Sequence, residues 1–156
     1  MLRVTVLMVG KTRQGFIKEG LAFYQKRLKP YLNLTLKNVR EEKEAAGLPP
    51  EKVKAREGER LQAQIPPRAH VVALDPQGRE MTTEEFAAWL AAREEAARPL
   101  AFLLGGHLGL DAATLAGAHE RLALSQLTMT HDLSRLVLLE QLYRAATLKA
   151  GHPYHV

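Results

Sequence analysis

The amino-acid sequence predicts an α/β fold with a mainly parallel sheet flanked by helices, and three features carry that expectation. Short runs of strand character alternate with segments of helical period in the order β-α-β-α-β-α-β. The five residues Leu100–Leu104 are apolar without a break and stop at Gly105 and Gly106, the pattern of a strand buried on both faces of a parallel sheet. From Asp132 to about Lys149, apolar residues cover most of a helical circumference, so that helix needs cover on more than one side. A subunit interface is the expected second cover.

Taken in order, Leu2, Val4, Val6 and Met8 alternate with Arg3, Thr5 and Leu7 ahead of Gly10, which predicts an opening strand closed by a glycine turn. Ile17, Leu21, Tyr24 and Leu28 recur at intervals of four, three and four, predicting a helix over residues 16–29 that Pro30 stops. Leu32, Leu34 and Leu36 then mark a second strand with one polar side. Residues 51–64 have helical character but only Val53, Ala55, Leu61 and Ala63 to bury, so they read as a loosely attached arm. Lys52, Lys54, Arg56 and Arg60 on that arm either reach RNA or are simply solvated.

Residues 70–74 form a third strand, closed by the turn Asp75-Pro76-Gln77-Gly78. Thr82 and Glu85 have capping-box spacing ahead of the Phe86, Trp89 and Leu90 helix face. After Leu100–Leu104, Asp111 offers an N-cap to a short helix ending near Leu115, residues 121–124 read as a brief strand, and Asp132 as the cap of the last helix.

A length of 156 residues sets the expectation of one domain over residues 1–156. The absence of cysteine excludes disulfides, a thiol nucleophile and cysteine-ligated zinc. Residues 1–4 lack a signal peptide's apolar core and no apolar run approaches membrane-spanning length, so a cytoplasmic protein is expected, with no membrane partner. Within the net charge of +5, residues 1–60 hold fourteen Lys/Arg against seven Asp/Glu. This basic first part suits a polyanion such as nucleic acid.

The residues also exclude several chemistries. His70, His107, His119, His131, His152 and His155 lack a recognised ligand spacing, so no metal site is expected. Gly105-Gly106-His107-Leu108-Gly109 lacks the Lys-Ser/Thr of a P-loop, and neither Ser125 nor Ser134 sits in a glycine elbow.

Four ordered stretches carry a resemblance: Leu103 to Leu110 (Leu-Leu-Gly-Gly-His-Leu-Gly-Leu), Leu124 to His131 (Leu-Ser-Gln-Leu-Thr-Met-Thr-His), Leu138 to Ala145 (Leu-Leu-Glu-Gln-Leu-Tyr-Arg-Ala), and His152-Pro153-Tyr154-His155. Together they resemble the RlmH (YbeA-like) family of SPOUT methyltransferases over nearly the full chain. That resemblance implies an enzyme using S-adenosylmethionine to methylate N3 of a pseudouridine in 23S (large-subunit) ribosomal RNA, with the RNA expected within the ribosome and free RNA left open as the alternative. It also implies a homodimer and a C-terminal trefoil knot, an exception to the rule against threading.

By position, the resemblance places Leu74, Gly105, Leu124, Ser125, Gln126, Leu127, Thr128 and Met129 around the cofactor. It places His152, Tyr154, His155 and Arg144 at the chemistry. Since the methyl is already activated on a sulfonium, the protein has to align the acceptor, exclude water and take a proton from N3. His152 and His155 both remain open as the proton acceptor; Tyr154 suits stacking or orienting the base, and Arg144 charge stabilisation. His131 reads as a capping or packing residue. The chain departs from the family pattern at His107, at Thr130 in place of a usual proline, and at Val156 where a basic residue is common, so a phosphate contact there is expected to be missing. The alternatives are a SPOUT enzyme acting on transfer RNA, or a ribosome-binding factor without activity.

Overall fold

The structure is a computed structural model in which residues 1–45 and 47–155 are described. Ten elements follow one another: β1 (Arg3–Val9), α1 (Gly15–Leu28), β2 (Asn33–Val39), α2 (Pro50–Ala63), β3 (His70–Arg79), α3 (Thr83–Glu95), β4 (Leu100–Leu104), α4 (Ala112–Gly117), β5 (Glu120–Leu122) and α5 (His131–Ala150). The five strands form one sheet in the order β2-β1-β4-β3-β5, and every pairing is parallel. The expected α/β class is therefore observed, with β1, β4 and β3 interior.

Side-chain alternation along the strands sorts the core into two layers. Val4, Val6 and Met8 of β1 join Phe102 of β4 on the face covered by α1, α3 and α5. Leu7 and Val9 of β1 join Leu103 of β4 on the other face, against Leu61 of α2. On the first face α5 packs against both α1 and α3, burying Leu138, Leu139, Leu142 and Ala145 completely. Neighbouring helices thus supply much of the second cover that the sequence alone assigns to another subunit; Leu133, near the start of α5, stays exposed.

The capping box of α3 is formed: Glu85 N donates to Thr82 Oγ1 at 3.1 Å, and Thr82 N donates to Glu85 Oε2 at 3.0 Å. The cap of α5 differs from expectation. Thr130, not Asp132, is the N-cap and accepts from Leu133 N at 3.2 Å; Asp132 lies inside the first turn, where its carboxylate serves other partners. Asp111 does occupy the N-cap position of α4, but its side chain makes no capping bond and instead accepts from Thr114 Oγ1.

Two further expectations are revised. The turn at residues 75–78 is a bulge within β3: Leu74 and Arg79 both pair with Leu122, and Gln77 N donates to Asp75 Oδ1 at 3.1 Å. Because β5 ends at Leu122, Leu124 is not in a strand. The segment read as a loose arm is docked, with Val53 and Leu61 buried. Gly58 lets α4 approach so closely that a Cβ there would overlap Asp111 and Thr114. Three of its cations are paired, Lys54 with Glu51 at 3.0 Å and Arg56 and Arg60 with Glu42 at 3.6 and 2.8 Å.

Candidate active site

A cavity of about 710 Å³ opens at the carboxyl ends of β3, β4 and β5. Parallel strands place all their carboxyl ends on one edge, so the loops that follow them converge there. The loop after β4 turns back at Gly106, whose carbonyl accepts from Gly109 N at 3.0 Å, and Gly109 takes a positive φ of 85°. At Gly105 the two limbs of this turn nearly touch, since a Cβ there would sit 2.5 Å from the Gly109 carbonyl carbon. Only glycine fits that crossing.

Of the residues expected around a cofactor, Leu74, Gly105, Leu124 and Ser125 line the cavity. Leu127, Thr128 and Met129 line it as well, whereas Gln126 does not. Leu127 N donates to Ser125 Oγ at 2.9 Å, which holds this wall in a tight turn. Leu127 is 79% exposed on that wall, an apolar residue left largely uncovered by the described residues.

Another part of the wall comes from two segments that sequence reasoning left out of the cofactor set: Arg13 and Gln14 of the β1–α1 loop, and His131, Asp132 and Ser134 of α5. Asp132 ties the two together. Its Oδ2 accepts from Arg13 N at 2.9 Å and Gln14 N at 3.1 Å. Burial by itself raises the Asp132 pKa, but those two N–H groups and the nearby Arg135 guanidinium outweigh it and hold the carboxyl below its usual value. Arg135 is fully buried beneath this wall, donating to Val9 O at 2.6 Å and to Thr12 Oγ1 at 2.8 Å. The i to i+3 spacing of Asp132 and Arg135 is visible in sequence, but their burial is not.

The residues expected at the chemistry gather elsewhere, around the last turns of α5. Arg144 donates to Glu140 and, through Nη1, to His155 Nδ1 at 3.4 Å. His155 Nε2 in turn meets Glu84 Oε1 of α3 at 3.1 Å. His152 Nδ1 pairs with Tyr31 OH at 2.5 Å. Tyr154 lies edge-on to Tyr143 and under the Arg144 guanidinium, with its hydroxyl 3.5 Å from Tyr24 OH. The Tyr24 hydrogen bond, with burial second, pushes Tyr154 up to about 12, so its phenol keeps its proton at neutral pH. None of the four lines the cavity. Helix α5, twenty residues long, spans about 30 Å at 1.5 Å per residue, and it separates the two groups. Val156 lies outside the described residues.

A cavity of this size at the carboxyl edge of a parallel sheet, walled by a glycine turn and by the loop leading into the last helix, is where an open α/β sheet takes a small-molecule ligand, and the family match makes the class a SPOUT methyltransferase. Residues 2–155 match the family described as "Predicted SPOUT methyltransferase". The ribosomal RNA large subunit methyltransferase H of Carboxydothermus hydrogenoformans is 40% identical over 158 residues, and that of Anaeromyxobacter dehalogenans 43% identical over 154; each comparison covers 99% of both chains. The chain belongs to this family, as a member of its ribosomal RNA large subunit methyltransferase H branch. Among solved structures, a probable methyltransferase from Bordetella pertussis Tohama I shares the fold at a TM-score of 0.57, with 15% identity and 93% and 96% of the two chains covered. A probable methylase family protein from Haemophilus influenzae Rd KW20 does so at 0.58, with 13% identity, all of this chain and 72% of the other.

Proposed function

We propose that the chain is an S-adenosylmethionine-dependent methyltransferase that methylates N3 of a pseudouridine in 23S ribosomal RNA of the large subunit, acting as one cytoplasmic SPOUT domain over residues 1–156. The observation that carries this reading is the cavity itself. Its volume is in the range of small-molecule sites, which are mostly apolar with a few placed polar groups. Leu74, Leu124 and Leu127 offer the apolar wall an adenine ring needs, and the Ser125 and Thr128 hydroxyls stand among them. One oxygen of the buried Asp132 carboxylate, Oδ1, has no hydrogen-bond partner among the described residues. When bound, the cofactor supplies a methyl group already activated for transfer to a nucleophile.

The separation of the tail from the cavity supports a homodimer in which His152, Tyr154, His155 and Arg144 of one subunit complete the cavity of the other. Phe16 and Phe23 on α1 and Leu133 on α5 are exposed large apolar residues beside that helix pair, and a second copy would cover them. In such a pair Arg144 would stabilise charge on the acceptor base, while Tyr154 and the two histidines orient it. A trefoil knot fits the path of the chain, in which β5 is the sheet's edge strand while α5, which follows it, packs against both α1 and α3.

Transfer of a labelled methyl group to ribosomes, isolated ribosomal RNA and transfer RNA, followed by mass mapping of the product, tests the reading. Label on one pseudouridine of 23S RNA is the expected result. Label confined to transfer RNA, or none despite cofactor binding, overturns the substrate or the activity respectively.

A further inference from the structure

We propose that His131 takes the imino proton from the base being methylated, with the Asp132 carboxylate behind it stabilising the imidazolium that forms. The inference rests on the function proposed above and deepens it, because the cavity holds histidines of its own. His107 and His131 line it. The His107 ring is 60% exposed and its Nε2 is engaged by Glu44 Oε1 at 2.9 Å. His131 is sheltered, its side chain 28% exposed, at the start of the helix that walls the cavity.

Behind it stands the unpartnered oxygen. Asp132 Oδ1 is 3.8 Å from His131 Nε2 and 3.8 Å from Arg135 Nη1, too far for a direct hydrogen bond to either, while Oδ2 is satisfied by the β1–α1 loop. A buried acceptor left without a donor is costly, and a charge-assisted bond from a nearby imidazolium removes that cost. A closing movement of about 1 Å brings Nε2–H to bonding distance of Oδ1. With Nε2 turned to Asp132, Nδ1 is the ring nitrogen left to accept a proton, on a side chain that lines the cavity.

The charged groups around the ring set its resting state. Burial first, then Arg135 on the same helix and His107 on the glycine turn, lower the His131 pKa; Asp132 and Glu41 of the β2–α2 loop act the other way. His131 is therefore a neutral imidazole at neutral pH. In the step itself the N3–H bond breaks and its proton goes to Nδ1. The electron pair left on N3 forms the new bond to methyl, the pair of the donor's carbon–sulfur bond returns to sulfur, and the imidazolium later releases its proton to water.

The test is single-turnover methyl transfer to ribosomes by the wild-type chain, His131→Asn and Asp132→Asn, from about pH 5 to 8, with affinity for S-adenosylhomocysteine and thermal unfolding measured on each. The wild type should show an acid limb below the ordinary histidine range. His131→Asn should keep its affinity, lose about 10²- to 10⁴-fold in rate and lose the limb. Asp132→Asn should slow transfer and move the limb to lower pH, because the carboxylate that raises the His131 pKa is gone, a shift that a merely structural role would not produce. Should Asp132→Asn unfold, the limb in His131→Asn decides alone. A His131→Asn rate within about threefold of wild type, well short of what general-base loss costs, or an unchanged limb, overturns the assignment. A wild type that binds the homocysteine product but methylates no RNA overturns the proposed function and this step with it.

Discussion

Glu140 Oε1 accepts from Arg144 through both Nε, at 2.8 Å, and Nη2, at 2.5 Å, one turn apart on α5. The same oxygen lies 3.4 Å from Tyr154 OH, while Gln141 Nε2 donates to Oε2 at 2.8 Å. One carboxylate thus fixes the arginine and the tyrosine of the tail together. Charge-assisted hydrogen bonds are worth roughly 1.5–3 kcal/mol, so Glu140→Gln should lower kcat about tenfold or more. Affinity for S-adenosylhomocysteine, measured by calorimetry, should stay unchanged because Arg144 and Tyr154 are assigned to the acceptor base and not to the cofactor, whose cavity in the same chain they do not line.

Glu120 predicts a response to acid. Trp89 Nε1 donates to both of its oxygens, at 3.1 and 3.0 Å, and His70 Nε2 lies 2.5 Å from Oε2. Burial raises its pKa, but the His70 and Trp89 hydrogen bonds outweigh it and hold the carboxyl below the ordinary 4.5. A depressed native pKa means stabilisation that is complete above the unfolded value and lost as pH falls through the folded one. Unfolding curves should therefore weaken as pH drops below about 4.5, and Glu120→Gln should be less stable at neutral pH and flatter over that window. Trp89, the chain's single tryptophan, reports the change by fluorescence.

Gly105→Ala should damage the cavity more than the fold. The added Cβ meets backbone, 2.5 Å from the Gly109 carbonyl carbon and 2.8 Å from its oxygen, so the turn must open. Affinity for S-adenosylhomocysteine should fall about tenfold, or about 1.4 kcal/mol, while the melting temperature moves by only a few degrees.

Mixing two damaged chains tests the completion of one subunit's cavity by the other. Arg144→Ala and Gly105→Ala, each weak alone, should regain activity when refolded together, because a mixed pair contains one intact cavity beside one intact tail. Equal activity before and after mixing counts against sharing.

Local order was legible because it is written at short range: the two-residue alternation of β1 and the spacing of Ile17, Leu21 and Leu28 need no distant partner to be read. The glycine turn and its carboxyl-edge position were legible for the same reason. Docking of α2 was not, since at Gly58 contact depends on a missing side chain, and an apolar pattern registers only side chains that exist. The bulge in β3 depends on pairing with Leu122, far along the chain. Likewise Arg135 reads as one more surface cation of a helix, and only the β1–α1 loop folding under α5 gives it Val9 O and Thr12 as partners. The tail's residues were legible as a motif, but their distance from the cavity is a property of the assembled helix.

Helix α5 consequently works as a strut of fixed length and phase between His131 and Arg144. Inserting one alanine midway turns everything beyond it by about 100° and advances it about 1.5 Å. An insertion of seven residues nearly restores the angle but adds about 10 Å of reach. The tolerance of this protein to length changes in its last helix is thus set by geometry at both ends, and neither kind of insertion leaves angle and reach together intact.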